Sequence, residues 1–134
     1  MASVYLDEDA GALLSPLQEN GHDVALAKDI GPGRSDVWHF RRAISDERVV
    51  ISLDTGFYYL HGLWTTLVDL EIVDSRHPGI LTAVQSKAFT HTQWADAIKT
   101  KLHEGDEMTG KMLTWHADGE FWGEDVRKPW KGLI

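Results

Sequence analysis

The sequence predicts a three-layer α/β domain built around a mainly parallel sheet. Two apolar runs, 4–6 and 49–53, have the continuous hydrophobic character of strands that are buried on both faces. Segments with helical spacing of apolar residues lie between such runs, so strands and helices alternate and imply right-handed crossovers. The 134 residues are expected to form a single domain, with a core over about 1–104 and a C-terminal hairpin and arm over about 105–134.

The first helix and the second strand follow from local signals. A helix is predicted over 10–20 because three leucines fall on one face, with Asp9 as its N-cap and Asn20-Gly21 as its stop. A strand is predicted over 22–27. The glycines and the proline of 29–34 predict a loop.

Ser35 is placed to cap a second helix over 36–45. In that helix Val37, Phe40 and Ile44 share a face, which is expected to be buried. The third strand at 49–53 then completes the alternating first half of the chain.

The second half is predicted to contain one more strand, one helix and a hairpin. The strand covers 79–84, and a helix over 92–103 has apolar residues at helical spacing. Strands at 112–116 and 120–122 flank Ala117-Asp118-Gly119, a sequence typical of a hairpin turn. The residues from 127 to 132 are expected to form an irregular arm.

Composition limits the possible functions. The net charge of −8 argues against broad electrostatic binding to nucleic acid. A local basic excess of Arg34, Arg41, Arg42 and Arg48 is either a solvated helix face or a phosphate-binding patch. The chain has no cysteine, so thiolate metal sites and disulfides are excluded. No apolar run is long enough for a bilayer and no signal-peptide pattern is present, so a cytoplasmic location without membrane contact is expected.

Aspartates follow two of the predicted strands. Asp7 comes directly after the first strand and Asp54 after the third, and this edge of a parallel sheet is where α/β proteins bind ligands. Asp36 lies in the first turn of a helix, where a carboxylate also favours the helix dipole. Glu8 and Asp9 crowd Asp7, and like charges this close raise pKa values unless a cation compensates. Capping and solvation remain the alternative roles for each residue alone.

Taken in order, several short motifs resemble one family. They are Leu6-Asp7-Glu8-Asp9, Gly21-His22-Asp23-Val24, Asp29 with its Gly-rich loop, Ser35-Asp36, the run from Arg48 to Asp54 with Phe57, and His77-Pro78-Gly79-Ile80. Over about residues 3–84 the chain resembles the PIN-like nuclease superfamily, particularly its small bacterial toxin-like (VapC-like) branch. The resemblance implies a PIN-like fold and Mg²⁺- or Mn²⁺-dependent hydrolysis of RNA. It also implies that the protein acts as the toxin of a toxin–antitoxin pair, with a cognate antitoxin as partner.

The resemblance assigns roles to individual residues. Asp7, Asp36 and Asp54 would be the catalytic and metal-binding acids, and Asp9 would be a further metal ligand. Four more residues are expected to support this site, namely Glu8, Ser52, Thr55 and Arg76, of which Arg76 is a candidate phosphate contact.

One departure from the family pattern concerns Gly56. The family commonly has a second acid two residues after the position of Asp54, and Gly56 stands there instead. Fewer carboxylates should weaken metal binding. This departure keeps open a degenerate PIN-like module that binds proteins without catalysis.

A receiver domain is the other alternative. Asp9 and Asp54 are spaced like the acid pair and the phosphoacceptor of such a domain, and Thr82 would supply its hydroxyl group. Its lysine would have to be Lys99 or Lys101. Both fall inside a predicted helix rather than after a fifth strand, which favours the PIN-like interpretation.

Tryptophan is unusually frequent, with six residues in the chain. Trp115, Trp122 and Trp130 cluster in the C-terminal region, where exposed aromatic side chains favour an interface. A homodimer or another protein partner is therefore expected there.

Overall fold

The fold is organised by one six-stranded sheet. The computed structural model describes residues 2–54, 56–84, 90–104, 107–116 and 118–123. The strands are β1 (Ser3–Leu6), β2 (Asp23–Leu26), β3 (Val49–Ile51), β4 (Ile80–Ala83), β5 (Met112–Trp115) and β6 (Phe121–Gly123). Their order is β2-β1-β3-β4-β5-β6, with β1 to β5 parallel and β6 antiparallel to β5. The predicted α/β class and mainly parallel sheet are confirmed.

Helices connect the strands. They are α1 (Leu14–Glu19), α2 (Ala27–Ile30), α3 (Asp36–Ser45), α4 (Phe57–Asp69) and α5 (His91–Glu104), and a 3₁₀ helix over Glu8–Leu13 precedes α1. Side chains of α1 and α5 pack on one face of the sheet, and those of α3 and α4 pack on the other. Helices on both faces make the structure compatible with a three-layer α/β fold.

The segment predicted as one helix over 10–20 has two parts and a different cap. Asp7, not Asp9, is its N-cap, because its Oδ1 atom accepts a hydrogen bond from the backbone N–H of Glu8 at 2.9 Å. The α-helical part begins only at Leu14. Pro16 explains this start, since it has no N–H to donate and fits only in the first turn of an α-helix.

The buried face of α3 also differs from the prediction. Val37 was expected to be buried together with Phe40, yet it is 52% exposed. The buried side chains are His39, Phe40 and Ala43, so the helix is rotated relative to the predicted face. Ser35 caps α3 as predicted, and its Oγ accepts a hydrogen bond from the N–H of Trp38 at 3.2 Å.

The C-terminal hairpin is present, but its first strand belongs to the main sheet. β5 pairs in parallel with β4, and only β6 extends the sheet in the antiparallel sense. Trp115 is buried and therefore does not contribute to an exposed aromatic surface, whereas Trp122 is 53% exposed. Trp130 and the predicted arm over 127–132 lie outside the described residues. Within the described ranges, no helix is long and apolar enough to cross a membrane.

The strand order creates a topological switch point at one edge of the sheet. β1 lies between β2 and β3, so the chain leaves the end of β1 in one direction and returns to β3 on the other side. The connection through α1 and the connection through α3 cover opposite faces of the sheet. In open α/β sheets, ligands bind at such a switch point, outside the carboxyl ends of the strands.

Candidate metal centre

Three carboxylates converge at this switch point. Asp7, Asp36 and Asp54 each offer an oxygen atom, and these three atoms lie within 4.8 Å of one another. Asp7 follows β1 directly and Asp54 lies just beyond β3, whose end is level with that of β1 because Leu6 pairs with Ile51. Asp36 is the first residue of α3. The structure therefore brings together the three acids that the sequence predicts as catalytic.

Ser52 connects two of these acids. Its side chain is fully buried, and its Oγ donates a hydrogen bond to Oδ2 of Asp7 at 2.7 Å. The same Oγ accepts a hydrogen bond from the backbone N–H of Asp54 at 2.9 Å. One hydroxyl group thus orients the first carboxylate and fixes the backbone of the second.

Gly56 holds Asp54 through its main chain. Its N–H donates to Oδ1 of Asp54 at 2.8 Å. A Cβ atom at this position would lie 3.1 Å from that oxygen and 3.4 Å from Oδ2 of Asp36. Gly56 has an ordinary helical backbone with a φ of −58°, so space beside the carboxylates, and not backbone conformation, is what favours a glycine.

Asp9 lies beside the cluster in a supporting position. Its Oδ1 accepts a hydrogen bond from the backbone N–H of Leu53 at 3.0 Å. Burial raises the pKa of Asp9, and the charges of Asp7 and Asp54 add to that effect against the opposing Leu53 hydrogen bond. Asp9 is not one of the three converging ligands, although it was predicted to bind the metal. Glu8 is exposed in the first turn of the 3₁₀ helix.

The converging carboxylates carry uncompensated negative charge. The pKa of Asp36 is raised to about 6, first by burial and then by a hydrogen bond to Asp54 and by the Asp54 charge. The ion pairs among the described residues involve other aspartates, so no lysine or arginine in these ranges neutralises the cluster. Oxygen ligands, close spacing and an unbalanced charge together fit a hard divalent cation.

Arg76 does not join the site. It precedes the start of β4, at the edge of the sheet opposite to the aspartates, and its side chain lies against Gly110. Because the strands are parallel, the approach to β4 and the exit from β1 fall on opposite edges. Thr55, another predicted supporting residue, lies outside the described residues.

The lysines required by a receiver domain are also elsewhere. Lys99 forms an ion pair with Asp96 at 3.1 Å, and Lys101 lies over the ring of Phe121 at 5.7 Å. The residue that follows β5, where such a lysine belongs, is His116.

The backbone N–H groups that donate hydrogen bonds to the aspartates of the site were not predicted from the sequence. Gly56 was considered only as the replacement for an acid, whereas its N–H binds Asp54. The signal was present, since an aspartate commonly accepts a hydrogen bond from the backbone two residues later. The Leu53 N–H has no such local signal, because its partner is 44 residues away.

Comparison with known proteins leaves the site to be interpreted from its own geometry. No family model, curated protein or solved structure matches the chain.

Proposed function

We propose that the protein is a metal-dependent ribonuclease of the PIN-like type. The observation that carries this proposal is the convergence of Asp7, Asp36 and Asp54 at the switch point of the sheet, without a compensating cation among the described residues. Such a site suits Mg²⁺ or Mn²⁺, which prefer carboxylate oxygens. The RNA substrate follows from the resemblance in sequence.

Each residue of the site would have a distinct role. Asp7, Asp36 and Asp54 would hold the ion, which supplies Lewis acidity to a phosphoryl group when it is bound. Ser52 would keep Asp7 in place, and the Gly56 N–H would orient Asp54. Asp36, whose pKa is about 6, would hold a proton below that pH and would have to lose it before the ion binds.

Gly56 bears on how many ions the site would take. With a glycine at this position the cluster has three converging acids, and a set of this size suits one ion better than two. Catalysis with a single ion is therefore part of the proposal. The role as the toxin of a toxin–antitoxin pair belongs to it as well, and growth arrest on expression would test that role.

Metal titration gives the decisive test. Calorimetric titration of Mn²⁺ is expected to show binding to the wild type and at least about tenfold weaker binding to Asp54→Asn. Asp46→Asn is the matched control, because Asp46 ends α3 in an exposed ion pair away from the cluster. Cleavage of labelled RNA should follow the same order. A wild type that binds no Mn²⁺, or an Asp54→Asn variant that binds it normally, would reject the proposal.

A receiver-like phosphoacceptor is the second candidate, and one observation favours it. The order β2-β1-β3-β4-β5 also occurs in receiver domains, and Asp54 lies just beyond β3. Treatment with acetyl phosphate would then add one phosphoryl group to Asp54, detectable by mass spectrometry. An unchanged mass would remove this candidate.

A further inference from the structure

Four arginines lie in or beside α3, and the structure separates them into two pairs. Arg42 and Arg48 form ion pairs with aspartates at 2.8 and 3.0 Å. Arg34 and Arg41 are exposed and pair with no carboxylate in the described part of the chain. On a molecule with a net charge of −8, these two arginines are exposed cations with no carboxylate partner among the described residues, so both are free to meet an anion from solution.

A tight turn fixes the backbone of Arg34. The N–H of Arg34 donates to the carbonyl oxygen of Gly31 at 3.1 Å, which closes a four-residue turn. Pro32 occupies the second position and Gly33, with a φ of 75°, occupies the third. This pattern is typical of a type II turn, in which proline and glycine supply the required conformations.

The side chain of Arg34 is held as well. Its guanidinium carbon lies 5.3 Å from the ring centroid of Trp38, a cation–π contact. The indole is fixed in turn, because it occupies the space that a Cβ atom at Gly31 would need and packs edge-on to His39 at 5.1 Å. Arg34 is therefore an exposed cation with a defined position, unlike a freely moving surface side chain.

The backbone of Arg34 lies close to that of Asp36, a member of the carboxylate cluster. Arg34 precedes Asp36 by two residues, which limits the separation of their backbones to about 7 Å. Arg41 follows Trp38 by three residues and so continues the same side of α3. Arg34 thus lies beside the end of the helix that carries Asp36, and Arg41 lies in the second half of the helix.

We propose that Arg34, held over Trp38, binds a phosphate group of the single-stranded nucleic acid whose neighbouring phosphodiester reaches the carboxylate cluster. The inference rests on the proposed function and names a substrate contact for it. A planar guanidinium forms paired hydrogen bonds to phosphate oxygens, and stacking on an aromatic ring leaves its edge free to do so. Arg41 provides a second contact along the strand.

Binding of an end-labelled single-stranded RNA in EDTA tests this contact without any metal. Fluorescence anisotropy should show at least about fivefold weaker binding for Arg34→Gln, and a salt dependence lower by about one phosphate contact. Arg42→Gln is the matched control, since it removes an arginine already paired with Asp46, and should stay within about twofold of wild type. Single-stranded DNA of the same sequence should show an equal loss for Arg34→Gln, because the contact is to phosphate.

A second variant tests whether the position of the Arg34 side chain, and not only its charge, contributes to RNA binding. Gly31→Ala leaves every charge in place but forces the indole of Trp38 to move. It is expected to weaken RNA binding in the same direction as Arg34→Gln, with circular dichroism confirming that the variant is folded. If Gly31→Ala unfolds the protein, Trp38→Leu removes the ring by another route and carries the same expectation.

The outcomes distinguish this inference from the proposed function. Normal RNA binding by Arg34→Gln, or equal losses for Arg34→Gln and Arg42→Gln, would overturn the inference even if Mn²⁺ binding and cleavage are confirmed. Absence of RNA binding by the wild type would also overturn it. Failure of Mn²⁺ binding together with a selective loss for Arg34→Gln would reject the nuclease and keep the nucleic-acid contact.

Discussion

Replacing Asp36 with asparagine should make the metal-free protein more stable at neutral pH. The folded state raises the pKa of Asp36 from 3.8 to about 6, through burial first and the neighbouring Asp54 second. A carboxyl group with a raised pKa binds its proton more tightly in the folded state than in the unfolded chain. Its contribution to stability is therefore complete below about pH 4 and is lost as the pH rises through about 6. At pH 7.5 the ionised Asp36 opposes folding.

The size of the effect follows from the pKa values. The interval from 3.8 to about 6 corresponds to about 3 kcal/mol as an upper limit. Asp36 is partly exposed, so solvent screens the repulsion and about 1–2 kcal/mol is expected. For a domain of this size, that gain raises the midpoint of thermal unfolding by about 4–8 °C.

Thermal unfolding in EDTA, followed by circular dichroism, would measure this gain. Asp36→Asn should unfold at a higher temperature than wild type at pH 7.5, and the two proteins should converge near pH 4, where Asp36 is protonated. Added Mn²⁺ should stabilise the wild type more than the variant, since only the wild type retains all three ligands. Asp46→Asn should show no stabilisation at either pH. A loss of stability in Asp36→Asn at pH 7.5, or an equal gain at pH 4, would refute the electrostatic argument.

Three further substitutions probe the surroundings of the site and the core. Ser52→Ala removes the buried hydroxyl that donates to Asp7, and a loss of about 1–3 kcal/mol is expected in urea unfolding. Gly56→Ala places a methyl group against Asp54 on a permissive backbone, so titration should show about tenfold weaker Mn²⁺ binding while thermal unfolding shows no loss of stability. Ile98→Ala opens a cavity in the core at a cost of about 2–5 kcal/mol in urea unfolding, and an unchanged midpoint would contradict its complete burial.

The parts of the fold that could be predicted from sequence are those specified by neighbouring residues. Continuous apolar runs identified β1 and β3, and the capping serine identified the start of α3. The convergence of Asp7 and Asp54 followed from one general property, namely that parallel strands end at a common edge. These inferences require only that β1 and β3 are neighbouring strands.

The remaining parts depend on pairing over long sequence separations or on competing local effects. The placement of β5 in the main sheet arises from its parallel pairing with β4, about thirty residues earlier in sequence, and hairpin signals do not reveal it. α4 was not predicted, because no charged residue occurs between Phe57 and Val68 to mark a solvent-facing side. Arg76 was expected near the aspartates because sequence alone does not show at which edge of the sheet a loop lies.

The distribution of charge around α3 gives the carboxylate cluster its significance. Forming the cluster opposes folding, as the pKa of Asp36 indicates, and an arginine directed at it would remove much of that cost. Arg34 is close enough in sequence to do so, yet its guanidinium lies over Trp38. Arg42 pairs with Asp46 at the far end of the helix. Because its nearest cations are directed elsewhere, the chain retains a destabilising cluster of like charges. This loss of stability is expected where a ligand from solution balances the charge.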